Sequence, residues 1–74
     1  MPDYRIFKPN LPQAGINFSA ENIHNAVIKG VLKSGDSGQF GSIIFSNCVA
    51  EVYSQRGVEY MIMEVGEFKR SVRV

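Results

Sequence analysis

The 74-residue chain has one cysteine, one histidine, three prolines and a net charge of only +1. A lone cysteine makes no internal disulfide, and a single thiol fits a reducing compartment, so a cytoplasmic location is expected. With no CxxC and no HxxxH spacing there is no zinc constellation, and neither a metal nor a cofactor is expected. No apolar run approaches ~18 residues, so no membrane span is expected. The opening MPDYRIFKPN is charged and broken by proline, unlike a secretory signal. A balance of 8 Lys and Arg against 7 Asp and Glu sets up no global field that would pull the chain onto nucleic acid.

What is present is a short globular sequence, 45% hydrophobic and 20% charged, outside the range of disordered chains. One domain, residues 1–74, is all that this length accommodates. Such a chain buries about 7,400 Å² on folding, exposing roughly 4,500 Å². At ~25 cal/mol/Å² of apolar area, the gain is on the order of 110 kcal/mol. Ordering the residues costs about as much at ~1.5 kcal/mol each, so the fold is marginal alone and gains from a partner.

Tyr4-Arg5-Ile6-Phe7-Lys8 mixes aromatic and β-branched residues with charges and stops at Pro9, as a short edge strand does. Pro9, Pro12 and Gly15 mark the following stretch, to Asn17, as loop. The spacing then predicts a helix over about 20–34. Ser19 stands as N-cap, Glu21 in the first turn, Phe18 and Ile23 as a hydrophobic staple, and Gly35 as the C-terminal stop. Ile23, Val27, Val31, Ile28 and Leu32 fill about half its circumference, which suits packing on a sheet. Gly30 near the edge of that arc marks either close approach to a strand or a tolerated weak spot. Beyond a 34–38 turn the chain is strand-like to its end, with a three-residue hairpin loop at Gln55-Arg56-Gly57 and a two-residue turn at Gly66-Glu67. Ser46-Asn47 is either a bulge or a turn. The fold expected is α+β, a short N-terminal strand and one amphipathic helix followed by an antiparallel meander of three to four strands packed on the helix.

Register assigns faces. One face of the expected sheet carries Val49, Tyr53, Met61, Met63, Val65, Phe68, Val72 and Val74. The other carries Ala50, Val52, Val58, Tyr60 and Ile62, flanked by Lys69, Ser71 and Arg73. Both are apolar, and a helix of ~15 residues covers only one. The N-terminal segment and the 9–18 loop offer some cover; self-association offers more, and a homodimer or higher oligomer through this second face or an exposed strand edge is expected.

Side chains able to do chemistry are few. His24 lies inside the apolar arc, as a histidine at the core margin does; at a subunit contact it would make association weaken as pH falls through about 6. Cys48 reads as a small hydrophobe in a strand, and nothing places it beside His24 as a nucleophile–base pair. Glu51, Glu59, Glu64 and Glu67 divide between faces and the last turn. Gly35-Asp36-Ser37-Gly38 has the letters around the nucleophile of chymotrypsin-like serine proteases, but the family's next glycine is Gln39 here and the chain is far too short for two barrels. Extended to Gly41, the same stretch lacks the Gly-Lys-Ser/Thr of a phosphate-binding loop.

A non-enzymatic protein-interaction module is therefore expected: an adaptor, assembly factor or inhibitor of a larger protein, of the size of accessory products of phages and mobile elements. Its expected contact residues are Val52, Tyr60, Ile62, Lys69 and Arg73, an aromatic and aliphatic centre with a cationic rim. A second reading, nucleic-acid binding, would use Arg56, Lys69, Arg70 and Arg73. A third, a small enzyme with His24 and Cys48 in a site shared across a dimer, has the least behind it.

Overall fold

A computed structural model describes residues 1–33, 41–46 and 49–71 of the chain. Among the described residues, five strands and two helices follow in the order β1 (Asp3–Lys8), β2 (Leu11–Ser19), α1 (Ile23–Lys33), β3 (Ser42–Ser46), β4 (Val49–Ser54), β5 (Gly57–Glu64) and α2 (Val65–Ser71). The strands form one antiparallel sheet in the order β2-β1-β5-β4-β3. The fold is α+β, with α1 packed on one face of the sheet and carrying the chain from one edge to the other.

β1 is central, paired with both β2 and β5, and not the expected edge. Pro9 does not prevent this because β1 ends at Lys8. The stretch expected to be loop is largely the edge strand β2. It tolerates Pro12 because an outer strand needs no inward donor there, and because the pairing slips between Ile6↔Ile16 and Lys8↔Leu11.

α1 starts three residues later than its expected bound. Asn22 is its cap: the Asn22 side-chain oxygen accepts from the Asn25 N–H at 2.9 Å, and the Asn22 carbonyl accepts from the Ala26 N–H at 2.9 Å. Ser19 instead donates to Asp3 Oδ1 at 2.7 Å, closing the end of the β1–β2 ladder, and Glu21 lies before the first turn. Gly35, the expected stop, lies outside the described residues.

The meander β3-β4-β5 forms as the alternation predicts. Ser46 pairs with Val49, so β3 and β4 are two separate antiparallel strands; positions 47–48 lie outside the described residues. At the next hairpin Ser54 pairs with Gly57 across Gln55-Arg56, and Gly57 takes φ +115°. One extra residue then enters β5 between the Tyr53↔Val58 and Val52↔Tyr60 pairs. The loop is thus two residues and not the expected three; past the bulge the register is the expected one, so the faces hold for residues 49–52 and 60–63, whereas Val58 pairs with Tyr53 and leaves the face it was expected to share with Tyr60.

After β5, Val65–Ser71 is a helix, not the expected turn at Gly66-Glu67 and start of a terminal strand; residues 72–74 lie outside the described residues. The reason is topological. β5 is already flanked by β1 and β4, so no open edge beside it remains for a further meander strand. The chain leaves the sheet and α2 turns Phe68 onto its second face, edge-on to Phe7 with ring centres 5.0 Å apart, while the Arg5 guanidinium lies 4.7 Å from the Phe68 ring centre.

Tyr4, Ile6, Phe18, Ala20, Ala26, Val27, Ala50, Val52, Tyr60 and Ile62 form the core between sheet and α1. Gly30 is what brings α1 this close, because a Cβ there would stand 3.1 Å from Phe18 Cζ and 3.2 Å from Ile6 Cδ1.

Candidate interaction surface

The apolar arc of α1 covers about half a turn, yet the residues it buries are Ala26, Val27 and Gly30. Small side chains permit the closest approach, so the helix is rotated toward them and away from the centre of the expected arc. Ile28 and Leu32, two and three turns into the segment, are left 61% and 75% exposed. His24, one turn before Ile28, lies against Phe45 of β3 with ring centres 4.3 Å apart. His24 and Ile28 therefore continue onto the rim of the sheet, whereas Leu32 lines an open pocket toward β2, with Met1, Asn17, Phe18, Ser19, Lys29 and Lys33.

That rim is β3, Ser42-Ile43-Ile44-Phe45-Ser46, an edge with no strand beyond it among the described residues. All five residues are exposed, including Ile43, Ile44 and Phe45, and none is charged. Pairing of Ile43 with Val52 and Phe45 with Ala50 puts both on the α1 side, because Val52 and Ala50 are core; Ile44 faces the other way. The β3–β4 register runs without a shift.

The opposite edge is blunted. β2 contains Pro12 and carries an irregular register, and the Arg5 guanidinium reaches across to donate to the carbonyls of Pro12 and Gln13 at 3.2 and 3.1 Å and to Asn17 Oδ1 at 2.7 Å. Proline, irregularity and charge are the usual means of keeping an edge from pairing. β3 has none of them.

The structure redistributes the residues expected to make contacts. Val52 and Ile62 are fully buried and Tyr60 is 8% exposed, so the expected apolar centre is the core beneath α1 and offers a partner no surface. Tyr60 meets solvent at an open pocket of about 200 Å³ lined by Ile6, Phe7, Lys8, Leu11, Ala14 and Ile16, with Lys8 Nζ 5.7 Å from its ring centre. Lys69 and Arg70 are exposed on α2, where Arg70 pairs with Glu67. Arg56 sits in the hairpin at the start of β5, on a different element, and lies 3.6 Å from Glu59. The cations expected to form a nucleic-acid surface are thus divided, and Arg73 lies outside the described residues. So do Cys48 and the 34–40 stretch with its protease-like letters.

The signal that marks β3 was in the sequence, as a five-residue strand with no charge and no proline. Its position at an edge was not, since edges are set by the order of strands.

Among the described residues no group of three or more His, Cys, Asp or Glu side chains is placed to hold a metal ion, and no helix is long and apolar enough to cross a membrane. Compared with protein-family models, curated proteins and solved structures, the chain matches none.

Proposed function

We propose that this chain is a small non-enzymatic protein-interaction module that binds protein through β3 and the outward side of α1. It acts as an adaptor, assembly factor or inhibitor in a reducing, cytoplasmic setting, by surface complementarity and not by catalysis. One observation carries the reading: an uncharged, regular, wholly exposed edge strand lies beside an outward apolar helix stripe. Such an edge offers main-chain hydrogen bonds to an incoming strand, and alternate side chains supply specificity. Large exposed apolar side chains that adjoin one another mark interaction sites more often than isolated ones do.

The test is affinity capture from native extract with the wild-type chain and with Ile44→Lys, each with and without nuclease and at 50 and 200 mM salt. Capture of protein that Ile44→Lys abolishes, and that nuclease and salt leave unchanged, is expected. Capture that nuclease eliminates, or that weakens steeply with salt, assigns the chain to nucleic acid instead. Capture indifferent to Ile44→Lys removes β3 from the reading.

A further inference from the structure

We infer that the occupant of the β3 edge is a second copy of this chain, paired antiparallel about Ile44, so that two five-stranded sheets join into one of ten strands. The inference rests on the proposed interaction surface and names its partner. What points to self-pairing is the chemistry of the strand itself. Read outward from Ile44, β3 has the same pattern in both directions: Ile43 and Phe45 are apolar, and Ser42 and Ser46 are hydroxylic.

Two-fold pairing sets residue i against j and j against i. Centred on Ile44, it places Ile43 of each copy opposite Phe45 of the other, Ser42 opposite Ser46, and Ile44 opposite Ile44. Every pair is matched, and aromatic against β-branched is a favourable cross-strand combination. Charge raises no obstacle. The β4 residue across from Ile44 is Glu51, so the two Glu51 side chains are three strand spacings apart, about 14 Å. That exceeds a Debye length of ~8 Å at physiological ionic strength.

The same axis accounts for the helix. A two-fold between antiparallel edge strands runs perpendicular to the sheet, so both copies present α1 on the same face. Ile43 and Phe45 are on that face, and His24 of α1 already lies on Phe45. The outward stripes containing Ile28 then approach each other above the joined strands, covering side chains that one copy leaves in water.

Register is the most specific part of the proposal, and a charge-swap experiment reads it. Sedimentation velocity at tens of micromolar is expected to show the wild type at twice the 8.2 kDa chain mass. Ile44→Lys and Ile44→Glu are each expected to sediment as monomers, since like charges facing each other on the axis weaken association by about a hundredfold or more. An equimolar mixture of the two is expected to recover the dimer, as a hetero-pair, because position 44 faces itself. Circular dichroism of each variant checks that it is folded, which the exposure of Ile44 favours. A monomeric wild type overturns the proposal, as do variants that remain dimeric. Monomeric variants that fail to associate on mixing overturn pairing centred on Ile44. A monomeric wild type that still captures protein in a manner Ile44→Lys abolishes would leave the interaction module standing and remove only the second copy.

Discussion

Gly15 and Arg5 show how much one position governs in this fold. Pro12 and Gln13 fall where β2 is out of register with β1, and the Arg5 guanidinium donates to their carbonyls instead. The side chain reaches them by passing over Gly15. A Cβ at Gly15 would stand 2.7 Å from the Ile6 carbonyl oxygen and 2.8 Å from Arg5 Nε, the first of which is backbone and cannot swing aside. Gly15→Ala is therefore expected to lower stability by about 2 kcal/mol, the scale of an overpacked site, read as a lower urea midpoint. An unchanged midpoint would mean that the β1–β2 pair can part without loss. In the sequence, Gly15 and Pro12 look like loop residues, and that reading failed because both residues also suit an irregular edge strand.

At the scale of elements, α1 separates what local chemistry decides from what packing decides. Its existence and most of its length follow from apolar spacing and a nearby capping side chain. Sequence reading gives the cap to Ser19, but the structure gives it to Asn22, because Ser19 is held in the β1–β2 ladder by Asp3. Asn22→Ala should cost about 1 kcal/mol of stability, as loss of an N-cap does, whereas Ser19→Ala should cost only a few tenths, an exposed hydroxyl–carboxylate contact being all it loses. Thermal unfolding of both variants side by side checks the order, and a larger loss in Ser19→Ala would return the cap to Ser19. The rotation of α1 was not legible. Hydrophobicity alone centres its buried face toward Val27 and Val31, but Ala26 and Gly30 offer closer approach to Ile6 and Phe18, and packing density prevails.

At the scale of the whole molecule, the chain shelters both faces of its sheet, α1 on one and Phe68 of α2 on part of the other. The accessible surface is 4896 Å², close to the roughly 4,500 Å² expected for its mass, so the margin of stability is that of a small domain. Core and rim should then respond oppositely to substitution. Ile62→Ala, at a fully buried position, should cost about 3 kcal/mol and bring the chain near unfolding. Ile44→Lys should leave the urea midpoint of the monomer within about 0.5 kcal/mol of its original stability while removing association. Equal destabilisation by both would place Ile44 in the fold's own core and not on its rim. The expected contact residues Val52, Tyr60 and Ile62 belong with the first kind. They were identified correctly as an apolar face that needs cover, but the cover is α1.

Alternation, turn residues and helical spacing determined by themselves that this chain is α+β, that its second half is largely antiparallel strand with a hairpin near residues 54–57, and which side chains of residues 49–52 and 60–63 share a face; they left the chain at Ser46-Asn47 open. These are local properties, readable within a turn or a hairpin. The order of the strands decided the rest. Inserting β5 between β1 and β4 closed its edges, forced the last segment out as a helix, and left β3 on the outside. Strand order joins residues 3–8 to 57–64 across most of the chain, a long-range choice set by the combined burial of the core, and no local pattern encodes it.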